Sequence, residues 1–134
     1  MKKAVSLPKL KKKADLLFAE YIRLRDEGLP CISCNQPKEY LQAGHYYAKQ
    51  GFDGLRYDPF NTNGECAKCN CFDESHLIGY GENLRIKIGP IEFDLLKLRA
   101  TDYKQRGHKW SRSELENLIK HYQAKIKELK EVYV

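Results

Sequence analysis

Two Cys-x-x-Cys pairs, Cys31/Cys34 and Cys66/Cys69, stand 31 residues apart in this 134-residue chain. Two thiolates at that spacing in a tight turn face one metal, and four of them close a tetrahedral zinc site with no position left for chemistry. A single domain of this length draws much of its folding energy from such an ion. The 31 intervening residues exceed what a minimal zinc ribbon needs, so something else is housed between the pairs. No apolar signal region precedes them, because Lys9 to Lys13 interrupt the place where one would lie. No run of 18 apolar residues reads as a membrane span either. The expected compartment is therefore the cytoplasm, where paired cysteines are metal ligands rather than disulfides. Cys71 is the odd one and reads as an ordinary, partly buried thiol.

Helices are expected on both sides of this module. From Leu7 to about Glu27, Ala14, Leu17, Phe18, Tyr21 and Leu24 fall on one face of a 3.6-residue period. Ser6 can cap that helix, Pro8 is tolerated in its first turn, and Gly28 and Pro30 stop it. Tyr40 to Lys49 reads as a strand, Gly51 to Gly54 as its turn and Leu55-Arg56-Tyr57 as its return, with Asn61 to Gly64 a second turn. Glu82 to Ile88 fits a short helix or strand, and Pro90 to Arg99 a helix with Ile91, Leu95 and Leu98 inward. Thr101 to Trp110 reads as a basic connection. Ser111-Arg112-Ser113-Glu114 is a capping box, and Leu115, Leu118, Ile119, Tyr122, Ile126, Leu129 and Tyr133 continue the apolar face of the helix it opens. That face suits packing or pairing, and a homodimer through it is one expectation.

The formal charge is +6, and six lysines among residues 1–13 (Lys2, Lys3, Lys9, Lys11, Lys12, Lys13) equal it with no acid nearby. A second basic run holds Lys104, Arg106, His108, Lys109 and Arg112. Two such clusters suit a polyanion, since releasing counterions drives binding to nucleic acid. The expected DNA contacts are Lys11, Lys12, Lys13, Lys49, Lys109, Trp110 and Arg112, with Trp110 favoured over any tail lysine. Tyr46, Tyr47, Phe52 and Tyr57 read either as bases' stacking partners or, more ordinarily, as core.

Phosphodiester hydrolysis needs a base to activate water, a divalent cation, and a partner that holds the base in its working tautomer. His45 on the first expected strand and Asn61, five residues before Cys66, supply such a pair if the hairpin returns as read. Cys-x-x-Cys, Gly44-His45, Asn61, then Cys66-x-x-Cys69-Asn70 resembles the HNH (ββα-metal) endonucleases that carry a four-cysteine zinc. Leu24-Arg25-Asp26, Cys31-Ile32-Ser33-Cys34, Ala43-Gly44-His45-Tyr46, Leu55-Arg56-Tyr57-Asp58 and the helical tail from Trp110 to Glu131 are similar to one branch, the lambda-phage NinG (Rap) recombination nucleases.

That resemblance implies an α+β fold: a small zinc-stabilised ββα-metal module, treble-clef-like, between N-terminal and C-terminal helices. It implies one domain over 1–134, with a basic tail and helix at 1–27, the module at 28–88 and a helical extension at 89–134. His45 becomes the general base, Asn61 its orienting partner and Asn70 a ligand of a catalytic Mg²⁺ or Mn²⁺, beside structural Zn²⁺ on Cys31, Cys34, Cys66 and Cys69. HNH enzymes often carry Asp where this chain has Gly44, so another donor among Asp58, Glu65, Asp73, Glu74 and His76 must serve. The function implied is endonucleolytic cutting of branched recombination DNA, such as a Holliday junction, in the bacterial host cytoplasm. The competing class is a non-catalytic zinc module that binds nucleic acid or a recombination protein, in which His45 is dispensable.

Overall fold

A run of apolar residues four apart sets the first helix. Leu10, Ala14, Phe18 and Ile22 form the buried face of α1 (Leu7–Arg25), with Leu17 and Tyr21 at its border. The expected stripe was therefore rotated: Leu24 lies to one side, and Leu10 and Ile22 complete the face. The Ser6 hydroxyl accepts from the Lys9 amide, Pro8 sits in the first turn, and Gly28, at φ +84°, ends the segment. The computed structural model describes residues 4–73 and 75–132. Lys2, Lys3, Glu74 and Tyr133, named above, lie outside the described residues.

The first cysteine pair follows, then a short antiparallel ribbon of β1 (Gln42–His45) and β2 (Thr62–Glu65). Its register pairs Gln42 with Glu65, Ala43 with Gly64, Gly44 with Asn63 and His45 with Thr62. The expected return strand at 55–57 is corrected: Asp53–Leu55 is a 3₁₀ turn, and residues read as a turn cluster form β2. The cause is burial in two directions. Leu55 packs into the cluster under α2, while Tyr57 packs against α1 and α3, an arrangement a flat strand cannot make.

After the second pair, the π-helical turn Lys68–Phe72 leads into α2 (His76–Arg106). Gly89 has φ 85° and ψ 160°, and with Pro90 it breaks α2 and restarts it in a new phase. The expected inner face, Ile91, Leu95 and Leu98, is corrected by how the restarted helix packs on Leu55 and Tyr80. Ile91 and Leu98 are 75% and 67% exposed, whereas Leu96 and Ala100 are buried and Phe93 and Tyr103 flank them. The residues read as a basic connection are helical as far as Arg106, because Tyr103 packs over Gly54 and Gly107 supplies the stop.

The capping box forms as expected. The Ser111 amide donates to Glu114 Oε1 at 3.0 Å, and the Glu114 amide to Ser111 Oγ at 3.2 Å. From it runs α3 (Arg112–Val132), burying Leu115, Ile119, Tyr122 and Ile126 against α1. The result is a mixed α/β arrangement in which α1 and α3 cover one side of the ribbon and α2 the other. No helix of the described residues is long and apolar enough to cross a membrane.

Candidate functional site

The two cysteine turns are built alike. The Asn35 amide donates to the Cys31 carbonyl at 2.8 Å, and the Asn70 amide to the Cys66 carbonyl at 2.9 Å. Each turn projects two sulfurs, and the four sulfurs of Cys31, Cys34, Cys66 and Cys69 lie within 4.8 Å of one another. Zinc–sulfur bonds of about 2.3 Å place tetrahedral sulfurs about 3.8 Å apart, and the Cys34 and Cys66 sulfurs are 4.0 Å apart. Burial pushes the Cys31 and Cys69 thiols up. Cys66 goes down: burial opposes this, but hydrogen bonds from Cys69 and its neighbouring thiols prevail. Four thiols so close shed their protons together only when a cation supplies the charge, so the cluster suits a metal such as zinc. Cys71, exposed, stands apart from it, with its sulfur toward Gln42.

His45 ends β1 on the side facing α1. Its ring lies 6.4 Å from that of Phe18, and it lines a cavity of about 80 Å³ with Asp15, Lys49 and Arg56. Its Nε2 is 2.9 Å from the Arg56 carbonyl. A carbonyl only accepts, so Nε2 carries the proton and Nδ1 keeps the lone pair. Burial holds the imidazole below its ordinary value, against the pull of that hydrogen bond, and the Lys49 and Arg56 charges act in the same direction as burial. Arg56 is fixed by two 2.7 Å bonds to Asp15 and by a 3.1 Å contact with Asp53. Asp15 and Arg56 are the partners that sequence reasoning missed; the one available signal was an acid two residues after the lysine run.

Asn61 is fully buried, and it does not touch His45. Its Oδ1 accepts from the Tyr47 amide at 2.8 Å, and its Nδ2 donates to the Tyr47 carbonyl at 3.0 Å and the Leu55 carbonyl at 3.4 Å. The side chain of Asn61, read as the orienting partner of His45, thus hydrogen-bonds the backbone of Tyr47 and Leu55, while the His45 ring is held by the Arg56 carbonyl. Asn61 pins the segment 46–56, and that segment delivers the Arg56 carbonyl that orients His45.

The other face of the ribbon answers the question of Gly44. A Cβ there would stand 2.2 Å from Glu65 Oε1, so the Glu65 carboxylate fills the space a side chain at 44 would take. Glu65 is completely buried. Its Oε2 accepts from the Ser33 hydroxyl and from His76 Nδ1 (2.6 Å), while Oε1 is buried with no partner among the described residues. The Tyr80 hydroxyl donates to the Gly44 carbonyl at 2.6 Å and locks the same face to α2. Of the donors proposed for the missing aspartate, Glu65 and His76 are brought together. Asp58 is held by Arg99 at 3.0 Å and Asp73 by Ser75 at 2.7 Å. Asn70 donates through Nδ2 to Gln42 at 2.8 Å, and Gln42 pairs with Glu65 across the ribbon.

The expected DNA contacts divide. Lys12, Lys13, Lys49 and Lys109 are exposed. Lys11 reaches Asp53 at 3.4 Å, and Arg112 reaches Glu116 at 3.8 Å. Trp110 is half-buried: its indole N–H donates to the Asp53 carbonyl at 3.0 Å, and its ring packs edge-on against Tyr57 and His108 at 4.9 and 4.4 Å. It fastens the α2–α3 connection to the 3₁₀ turn.

A family model described as "Bacteriophage Lambda NinG protein" matches residues 1–132. The chain is 32% identical over 121 residues to "Protein ninG" of Salmonella phage P22, covering 90% of this chain and 57% of that protein. It is 30% identical over 120 residues to "Protein ninG" of Escherichia phage lambda, covering 89% and 56%. It thus spans little more than half the length of these relatives. No solved structure matches. Aligned with that model through both cysteine turns and the ribbon between them, this chain belongs to the NinG family.

Proposed function

We propose that this protein is a metal-dependent DNA endonuclease of the HNH (ββα-metal) type, cutting branched DNA of the kind formed in phage recombination. The observation that carries the reading is His45. It is an imidazole whose Nε2–H is engaged by a backbone carbonyl, whose Nδ1 is left as proton acceptor, and which is kept neutral near pH 7 by burial. It opens into a cavity flanked by Lys49 and Arg56, which suit a phosphate. In this reading Nδ1 takes the proton of the attacking water, the water oxygen bonds to phosphorus, and the bond to the leaving sugar oxygen breaks.

The four cysteines hold Zn²⁺ as a structural ion that joins the two turns. A catalytic Mg²⁺ or Mn²⁺, when bound, neutralises charge that develops on the phosphate. Glu65, with its unpartnered oxygen, together with His76 and Asn70, offers the oxygen and nitrogen donors that would hold it.

One observation favours the second reading, a non-catalytic zinc module that binds nucleic acid. The pleat sets His45 toward α1 and Glu65 with His76 toward α2, so base and carboxylate do not share a face. A cleavage assay on branched DNA with Mg²⁺ or Mn²⁺ decides between them. Wild type is expected to cut, and His45→Ala to bind without cutting. Equal cutting by the variant removes His45 as base, and binding without cutting by the wild type itself favours the second reading.

A further inference from the structure

Segment 46–56 has two sides. One lines the His45 cavity through Lys49 and Arg56. The other, with the last turns of α2, encloses a second cavity of about 290 Å³. Tyr47 and Phe52 form one wall, their ring centroids 5.2 Å apart and tilted by 53°. Lys97, Thr101, Lys104 and Gln105 form the opposite wall, four positions on one face of α2. Among the described residues no acidic one lines this cavity, and the Lys104 ammonium sits 4.9 Å from the centre of the Phe52 ring. The α2 stretch that carries it was read from the sequence as a basic loop; only as helix do Lys97 and Lys104 face the same wall.

We propose that this cavity seats an unpaired nucleobase of DNA. The proposal rests on the DNA reading above and deepens it by naming what the protein selects. Aromatic rings beside lysines form a stacking platform with charges placed for the flanking phosphates. The Lys104 ammonium, now over the Phe52 face, is on a flexible stem and can move to a phosphate as a base takes its place. The Gln105 amide can meet a base edge from the helix side. A base stacked inside a duplex cannot enter; one at a branch, bulge or single-stranded end can, at little unstacking cost. Lys49, between Tyr47 and Phe52 in the chain, lines the His45 cavity, so segment 46–56 contributes residues to both cavities. Selection of branched over continuous duplex then comes from the base seat, without readout of sequence.

The experiment compares two DNAs with the full zinc-loaded chain and no added Mg²⁺ or Mn²⁺. One is a continuous duplex; the other is the same duplex with a single unpaired 2-aminopurine. Wild type is expected to bind the second about 10-fold tighter, the worth of one stacked base, and to quench 2-aminopurine emission as it does so. Phe52→Leu, which keeps apolar volume but removes the ring, and Lys104→Glu, at an exposed position, are each expected to abolish the preference and the quenching. Affinity for the continuous duplex should fall less. Equal affinity of wild type for the two DNAs, or an unchanged preference in both variants, overturns the base seat and leaves the nuclease reading standing. Absence of binding to either DNA overturns both.

Discussion

The ribbon of β1 and β2 has two faces that contrast in kind. Toward α1 it presents His45, half-buried, with its neighbour Arg56 held in place by Asp15 and with a cavity in front of it. Toward α2 it presents Glu65, fully buried, with one oxygen engaged by Ser33 and His76 and the other without a partner among the described residues. Residues 44 and 45 are neighbours in the chain, yet the period of two sends them to opposite sides. A motif that reads as one cluster in sequence is thereby divided between a face with room for a substrate and a face tied to a helix. The lesson concerns cost. An unpartnered buried carboxylate oxygen is expensive, and in the function proposed above the two faces have separable jobs.

The comparison can be broken most severely at what both faces hang from. Stripping the metal with a chelator, or Cys69→Ser, is expected to abolish cooperative unfolding. The loss is on the order of 10 kcal/mol for a structural zinc site, read by thermal melting followed by circular dichroism. A chain that melts unchanged after stripping would show that the cysteine cluster holds nothing. Next in size is His45→Ala, expected to slow cleavage by roughly 10²- to 10⁴-fold with Mn²⁺ affinity unaltered. Glu65→Gln should do the reverse first, weakening Mn²⁺ binding about 10- to 100-fold in a calorimetric titration. If the two variants exchange these signatures, the division of labour between the faces is wrong.

A smaller effect tests how one face is positioned. Asn61→Ala removes three buried hydrogen bonds to the backbone of Tyr47 and Leu55. It should cost about 1–3 kcal/mol in denaturant unfolding and also loosen His45, through the Arg56 carbonyl. Retained stability would mean that segment 46–56 is held by its apolar contacts alone.

The smallest effect is the pH dependence of His45. Its folded value lies below 6.5, because burial disfavours the charged ring. Folding therefore favours the neutral form. Its contribution to stability is complete above about 6.5, the unfolded value, and is lost as pH falls through the folded value. Unfolding midpoints of wild type should decline on acidification from that point, and those of His45→Ala should decline less.

Much of the helical frame was legible in local chemistry. Ser6 and Pro8, and the Ser111–Glu114 capping box, marked helix starts because caps depend only on residues within one turn. The cysteine cluster was legible for a similar reason: two repeats of one short turn leave few other uses for four thiols. What failed had long-range causes. The return strand was placed at 55–57 because Leu55 and Tyr57 alternate properly, but they are drawn into two separate cores. The helix read over 90–99 was given Ile91, Leu95 and Leu98 as its inner side, whereas packing against Leu55 and Tyr80 turns Leu96 and Ala100 inward. The contacts of Trp110 with Tyr57 and Asp53 are equally long-range and had no local signal.

The sequence by itself determined the four-cysteine cluster, the capped helices and the basic balance, since each depends on residue type and short spacing. Only the tertiary structure decided what surrounds His45 and Gly44. Arg56 and Asp15 reach the first from elements 41 residues apart, and Glu65 reaches the second from across the ribbon. Strand register and helix phase govern such encounters. Both are set by how the apolar surfaces of α1, α2 and α3 are jointly buried, and that is a property of the whole chain rather than of any motif.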